Sequence, residues 1–147
     1  MLTVVLTCLA LIVLTSVFHY EVLRLLNVWL PKLKIPNRPK LLVVVLVTFA
    51  AHAVEILVYG LAMFLLITQF GVGALEGPLQ SPLEASMYFS AETYTSLGFG
   101  DIRPLGPVRL LAGVEALNGL LLIGWSASYL YIAMEKFWRG ADARSRP

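Results

Sequence analysis

The chain has 147 residues, of which 59% are hydrophobic and 14% charged, with a net charge of +2. Soluble domains average about one quarter charged residues, so this composition indicates a membrane protein. The positive charge is too small and too dispersed to suggest a nucleic-acid partner. A single cysteine, Cys8, excludes an intrachain disulfide.

Three stretches are long and apolar enough to cross a bilayer, which takes about 20 apolar residues. Residues 1–30 start with an uncharged run and lack the positive start and cleavage site of a signal peptide, so we expect a retained N-terminal helix. Residues 41–70 form the second span, interrupted mainly by His52 and Glu55. The third covers residues 107–138.

Most Lys and Arg residues cluster in or near a linker, residues 31–40, and a short polar tail, residues 139–147. By the positive-inside rule this side of the membrane is cytoplasmic. We therefore expect a multi-pass protein of the inner (plasma) membrane with its N-terminus outside and its C-terminus in the cytoplasm. Residues 71–106 then lie on the outer side.

The sequence of the outer segment indicates a re-entrant element rather than a plain extracellular loop. Ser81, Pro82 and Glu84 have the form of a capping box at the start of a short helix. That helix, residues 82–95, is apolar enough to enter the membrane but too short to cross it.

Glycines follow the short helix at alternate positions. Gly98 and Gly100 can adopt left-handed backbone conformations, so this strand can turn its carbonyls to one side and replace the water around a cation. At membrane depth, non-helical backbone is tolerated only where protein buries it or where it lines a water-filled path. The preceding helix directs its negative dipole end to the same place, which favours a cation.

The run ETYTSLGFGDIRP, residues 92–104, closely resembles the pore helix and selectivity filter of potassium channels, and the similarity extends over about residues 41–133. The resemblance implies an all-α membrane protein: three transmembrane helices plus a re-entrant pore helix and filter loop, assembled as a tetramer. The pore domain is expected at 41–138, with the first helix as an addition to it. The implied activity is passive potassium conduction, not catalysis.

On this match the ion-binding filter consists of Ser96, Leu97, Gly98, Phe99 and Gly100, with K⁺ held at the first four. Ser96 stands where threonine is usual, and Phe99 stands where tyrosine is usual and lacks a bracing hydroxyl. Two alternatives therefore stay open: a weakly selective Na⁺/K⁺ channel, and a non-conducting regulatory subunit. The resemblance implies no cofactor beyond the permeant ion; the expected partners are other copies of the chain and membrane lipids, with any regulatory partner unknown.

Residues around the filter are expected to support it; these are Tyr88, Phe89, Glu92, Thr95 and Asp101. Glu92 and Asp101 match positions where some channels of this family hold a carboxyl–carboxylate hydrogen bond. In the alternative, Asp101 faces water and Glu92 binds backbone.

The third span carries the expected gating features. Gly119 falls at the hinge position of the family, although a glycine there also permits a close helix contact. The resemblance places Leu120, Ile123 and Ala127 on the wall of the cavity.

Three ionisable residues lie within apolar spans, where such groups indicate function by default. His52 and Glu55 share one helix face, and Glu115 lies in the third span. They are either proton-sensitive groups or bridges between helices, with Asn118 or Ser126 as partners. His-x-x-Glu alone is a poor metal site, because catalytic zinc takes three protein ligands.

Overall fold

The computed structural model describes the backbone of residues 1–142 and the side chains of residues 1–36 and 39–136. The chain is mainly helical, with α1 continued by one 3₁₀ turn, Leu30–Lys32. The four helices are α1 (Leu2–Trp29), α2 (Asn37–Thr68), α3 (Pro82–Tyr94) and α4 (Val108–Asp142). The two strands are β1 (Ala74–Glu76) and β2 (Arg103–Leu105).

Three helices in the described part of the chain are long and apolar enough to span a membrane. Their apolar portions are Leu2–Lys32, Pro39–Thr68 and Val108–Lys136, with mean hydropathies of 2.3, 2.5 and 1.5. The 13-residue α3 is much shorter and packs against both α2 and α4. This is the predicted all-α architecture of three transmembrane helices and a short fourth helix.

Two helix boundaries differ from the sequence prediction. α2 begins at Asn37 rather than at residue 41, so the linker predicted at 31–40 is shorter. Pro39 falls in the first turn of α2, where backbone N–H groups have no intrahelical partner and a proline costs no hydrogen bond. α4 continues to Asp142, into the tail predicted at 139–147; residues 143–147 lie outside the described residues.

The extra helix α1 is an integral part of the bundle, since it packs against α2 and α4 of its own chain. One face of α1 is buried at intervals of three or four residues, the spacing of a helix face. The buried residues are Val4, Cys8, Leu11, Thr15, His19, Leu23 and Leu26. The opposite face exposes apolar side chains such as Leu6, Leu9 and Val13, as expected where a helix meets lipid or another chain.

The main hydrophobic core surrounds α3. Tyr59 and Met63 of α2, Phe89 and Tyr94 of α3, and Leu111 of α4 are all nearly inaccessible to solvent within it. The short helix is therefore wedged between the two helices that precede and follow it.

A two-stranded sheet, which the sequence analysis does not predict, joins the segments on either side of α3 and the filter. β1 pairs antiparallel with β2, with Leu75 opposite Pro104. Across the same pair the Arg103 Nε donates to Glu76 Oε2 at 2.9 Å. The sheet fixes the entry to α3 against the exit from the filter.

Gly119 lies where α4 crosses the C-terminal end of α3. A Cβ at this position would be 2.2 Å from the carbonyl oxygen of Tyr94, far inside van der Waals contact. Of the two roles considered for Gly119, the close helix contact is the one this geometry supports directly.

We expect Gly119→Ala to lower the free energy of unfolding by about 1–3 kcal/mol, the usual cost of overpacking, because the new methyl group pushes α4 away from Tyr94. Gly124→Ala is the matched control, since a Cβ there meets no atom within 4 Å. Unfolding in detergent micelles, followed by circular dichroism, measures both. Equal losses for the two variants would contradict the packing role of Gly119.

Candidate ion-conducting site

The helix before the filter starts as the capping pattern predicts. Ser81 is its N-cap, and the Ser81 Oγ accepts a hydrogen bond from the Glu84 N–H at 3.4 Å, while Pro82 opens the first turn. α3 ends at Tyr94, so its C-terminal end leads directly into the predicted filter.

The filter backbone alternates in handedness. Ser96, Gly98 and Gly100 have positive φ values of 57°, 56° and 81°, whereas Leu97 and Phe99 between them do not. Ser96 is the only non-glycine residue with positive φ in the described part of the chain. In an ordinary strand successive carbonyls alternate sides; alternating handedness turns them to the same side, and glycine adopts it without steric cost.

The backbone N–H groups of the filter point back towards the end of α3. The Ser96 N–H donates to Thr93 O at 3.0 Å, and the next two N–H groups donate to Glu92 O at 2.8 and 3.2 Å. The Phe99 N–H donates to the Glu92 carboxylate at 3.2 Å. Among the described backbone and side-chain groups, none donates a hydrogen bond to the carbonyl oxygens of residues 96–100, so these oxygens are free to face an ion.

Glu92 is buried at the base of the filter and binds backbone. Burial raises the pKa of its carboxyl group, the Phe99 N–H opposes this rise, and the negative charge of Asp101 adds to it. Asp101 is exposed and accepts a hydrogen bond from the Tyr88 hydroxyl at 3.4 Å. Among the described residues no hydrogen bond joins Glu92 to Asp101, so the structure has the backbone-bound alternative rather than the carboxyl pair.

The other predicted support residues, Phe89 and Thr95, differ in how far they are buried. Phe89 is 5% exposed and belongs to the main core. Thr95 is exposed, and its Oγ1 donates to Ala91 O, one helical turn back, at 2.7 Å. Phe89 therefore supports α3 within the chain, and Thr95 lies on an open surface beside the filter.

The predicted cavity residues do not form one uniform face. Leu120 is 60% exposed and Ala127 is exposed, whereas Ile123 is half-buried and packs against the main core. The first two therefore lie on the open side of α4, and Ile123 is partly turned towards its own chain.

Five polar side chains meet where all four helices converge, and we call this group the histidine cluster: His19, His52, Glu55, Tyr94 and Ser126. The Nδ1 atoms of His19 and His52 lie 2.9 and 3.1 Å from the two carboxylate oxygens of Glu55. The Tyr94 hydroxyl donates to the same carboxylate and lies 2.9 Å from His52 Nδ1. The Ser126 Oγ lies 3.0 Å from His52 Nε2 and 3.1 Å from His19 Nε2.

In the histidine cluster, Ser126 lies within hydrogen-bond distance of His52, as one of the two expected partners, and two residues not expected from the sequence, His19 and Tyr94, join it. His19 stands four residues after Thr15 on the buried stripe of α1, and that spacing was the available signal. For Tyr94, the sequence offered no indication of these contacts beyond its position just before the filter.

Asn118, the other expected partner, belongs to a separate group. Its Nδ2 donates to Thr15 Oγ1 at 2.7 Å and to the Tyr59 hydroxyl at 3.1 Å. This contact is a second polar link between α1 and the helices that carry the filter.

Glu115 forms a third buried polar group. The Ser90 Oγ lies 2.8 Å from the carbonyl oxygen of Ile56, which can only accept, so the single Ser90 hydroxyl proton is used there. Its short contact with Glu115 Oε1 then needs a proton from the carboxyl group. Glu115 is therefore assigned as a neutral carboxylic acid, which fits its complete burial among apolar helices.

The histidine cluster also contains a potential metal-ligand set. Ligand atoms of His19, His52 and Glu55 lie within 4.8 Å of one another. Each of these atoms already has a hydrogen-bond partner in the cluster. A divalent ion held by one carboxylate and two neutral imidazoles would also leave a net positive charge in an apolar interior, which is costly. The geometry therefore favours a hydrogen-bonded network over a metal centre.

Comparison with known families agrees with this architecture. Residues 42–136, from the start of α2 nearly to the end of α4, match the family described as ion channel, whose members have two transmembrane helices and a pore loop. The chain belongs to this ion channel family, which is not a class of enzymes. No curated protein and no solved structure gives a significant match to the chain.

The raised pKa of Glu92 predicts a pH dependence of stability. A group with a raised folded-state pKa binds its proton more tightly when folded, so its stabilising contribution falls as pH rises above its ordinary value of 4.5. We expect the apparent melting temperature of Glu92→Gln, which keeps an oxygen for the Phe99 N–H, to fall less steeply over this range than that of the wild type. Glu84→Gln, at an exposed position of the same helix, serves as the control. Identical slopes for the wild type and Glu92→Gln would count against this role.

Proposed function

We propose that four copies of this chain assemble into a channel that conducts potassium passively through residues 96–100. The observation that carries the proposal is the filter backbone. Its φ values alternate in sign, the N–H groups of residues 96–99 donate to the end of α3, and its carbonyl oxygens accept no hydrogen bond from the described residues. A row of carbonyls of this kind replaces the hydration shell of K⁺ in potassium channels.

The tetramer is proposed because each chain contributes a single filter strand, and a carbonyl ring needs about four. Exposed apolar side chains support assembly. Leu97 and Phe99 are 59% and 68% exposed in the single chain, and Leu117, Leu120 and Leu121 of α4 are exposed by similar amounts. Neighbouring chains around a central axis would cover surfaces of this kind.

Potassium selectivity is the finer part of the proposal. Ser96 keeps a hydroxyl beside the first carbonyl, but no tyrosine hydroxyl is present at position 99 to brace the filter. A weakly selective Na⁺/K⁺ channel is therefore the second candidate, and the ratio of potassium to sodium flux distinguishes the two.

In the proposed orientation the protein lies in the plasma membrane, with the connection between α1 and α2 on the cytoplasmic side. Lys32 lies over the ring of Trp29, with its Nζ 5.8 Å from the ring centre, at the end of α1. Tryptophan and lysine at a helix end are typical of a membrane interface, and basic residues favour the cytoplasmic side.

We expect the purified protein to behave as a single species of four chains of 16.2 kDa each, because the exposed filter and α4 surfaces require neighbours. Native mass spectrometry from detergent micelles measures this directly. A monomer or dimer as the main species across detergents would contradict the proposed assembly.

We expect Gly98→Ala to reduce potassium flux into proteoliposomes at least about tenfold. A left-handed conformation costs an L-residue roughly 1–2 kcal/mol, and four such costs would act on one pore. Gly71→Ala is the matched control: Gly71 also has a positive φ, of 61°, and lies outside the filter. Loss of flux in both variants would indicate general damage, and unchanged flux in Gly98→Ala would rule out conduction through this strand. Sodium flux comparable to potassium flux in the wild type would favour the weakly selective channel.

A further inference from the structure

The histidine cluster has six contacts among five side chains. Each contact needs a proton between its two atoms, and the two contacts of His52 Nδ1 can share one, so five protons are required. Neutral imidazole rings bring one proton each, and the tyrosine and serine hydroxyls bring one each, which makes four. The positions of these four protons follow from which atoms can donate.

At the carboxylate end three donors are required. An ionised Glu55 can only accept, so it takes protons from the Nδ1 atoms of His19 and His52 and from the Tyr94 hydroxyl. The His52 Nδ1–H also points near the Tyr94 oxygen at 2.9 Å and can be shared with it. Both ring protons and the phenol proton are then used.

At the serine end one proton is missing. With their protons on Nδ1, neutral His19 and His52 present bare Nε2 atoms, both within 3.1 Å of the Ser126 Oγ. A hydroxyl has one proton and donates one well-directed bond, so the other nitrogen would face the Ser126 oxygen as acceptor against acceptor. A fifth proton, on that ring nitrogen, completes the network.

The fifth proton also balances the charge. It makes one histidine a cation beside the Glu55 carboxylate, so that the cluster as a whole is neutral. Without it, a buried cluster in an apolar interior would carry a net negative charge, which is costly at membrane depth. Hydrogen-bond geometry and charge balance therefore call for the same proton.

We propose that the histidine cluster binds one proton as a doubly protonated histidine ring beside the Glu55 carboxylate, and that this proton fixes the filter end of α3 and the inner part of α4 against α1 and α2. Tyr94 is the last residue of α3 and stands two residues before the first filter residue, Ser96. Ser126 lies beyond Gly119 on α4, so the proton bridges the helix that follows the pore to the extra helix α1. Tyr94 and Ser126 act here as positioning residues.

The other side chains that pack near the histidine cluster do not supply the fifth proton. Tyr59 of α2 packs its ring 6.5 Å from that of Tyr94, and its hydroxyl is taken by Asn118. Glu115 is buried on α4, the helix that carries Ser126, and its contact with Ser90 leaves it neutral. On α1 and α4, His19 packs against Trp125, whose ring does not titrate.

The direct test is ¹⁵N NMR of histidine-labelled protein in lipid bilayers near neutral pH. The sequence contains two histidines, both in the cluster, so every histidine signal reports on the site. We expect one doubly protonated ring in the wild type and two neutral rings in Glu55→Gln, where no carboxylate charge is left to balance. In Ser126→Ala we expect the doubly protonated ring to remain but its Nε2 signal to shift, because the Ser126 oxygen is lost. Ser128→Ala, two residues along α4 and exposed, should keep the wild-type spectrum. Two neutral rings in the wild type would overturn the proposal.

The effect on the pore is tested by potassium flux between about pH 5 and pH 8, the range in which histidine environments usually titrate. This arm rests on the proposed channel function, whereas the NMR arm does not. We expect wild-type flux to fall roughly fivefold or more as pH rises, because the protonated cluster is the state that holds Tyr94 and α4 in place. Ser126→Ala should lose this dependence and Ser128→Ala should retain it. A pH profile shared by the wild type and Ser126→Ala would overturn the coupling to the pore, even with the protonated histidine present.

Discussion

The apolar interior of this bundle imposes one constraint on everything placed within it: each polar group must find a partner, and each cluster must be close to neutral. The chain meets this constraint at several points. The Asn118 Nδ2 donates hydrogen bonds to Thr15 and Tyr59. The Ser90 hydroxyl proton is used by the Ile56 carbonyl, so Glu115 keeps its own proton and is uncharged. These buried polar residues thus form groups that connect helices, and the Glu115 Oε2 is left without a hydrogen-bond partner among the described residues.

In the filter, residues 96–100, the backbone N–H groups of residues 96–99 have hydrogen-bond partners among the described residues and the carbonyl oxygens do not. The N–H groups of residues 96–98 donate to backbone carbonyls at the end of α3, and the Phe99 N–H donates to the Glu92 carboxylate. The carbonyl oxygens of the filter have no partner within the described chain. A cation is the ligand that such a row of oxygens can accept, so the chemistry of the segment follows from which half of the backbone is left unsatisfied.

The buried polar residues of the extra helix α1 connect it to the other helices by hydrogen bonds. Thr15 and His19 are on the buried face, one turn apart, and each enters a group that also contains a residue of α2. Through Tyr94, the group around His19 reaches the last residue of α3, two positions before the filter. A helix that family resemblance treats as an addition is thereby joined by hydrogen bonds to the base of the pore.

The sequence by itself determined the class of the protein, the three spans, the capping of α3 by Ser81 and the left-handed conformations of Gly98 and Gly100, because each depends on local composition, spacing or glycine placement. It did not determine that α2 begins at Asn37, that β1 pairs with β2, or that Glu92 binds the Phe99 N–H rather than Asp101. Nor did it reveal the partnership of His19 with Glu55. Those features depend on which helix faces meet, and helices distant in sequence bring such residues together only when the bundle packs.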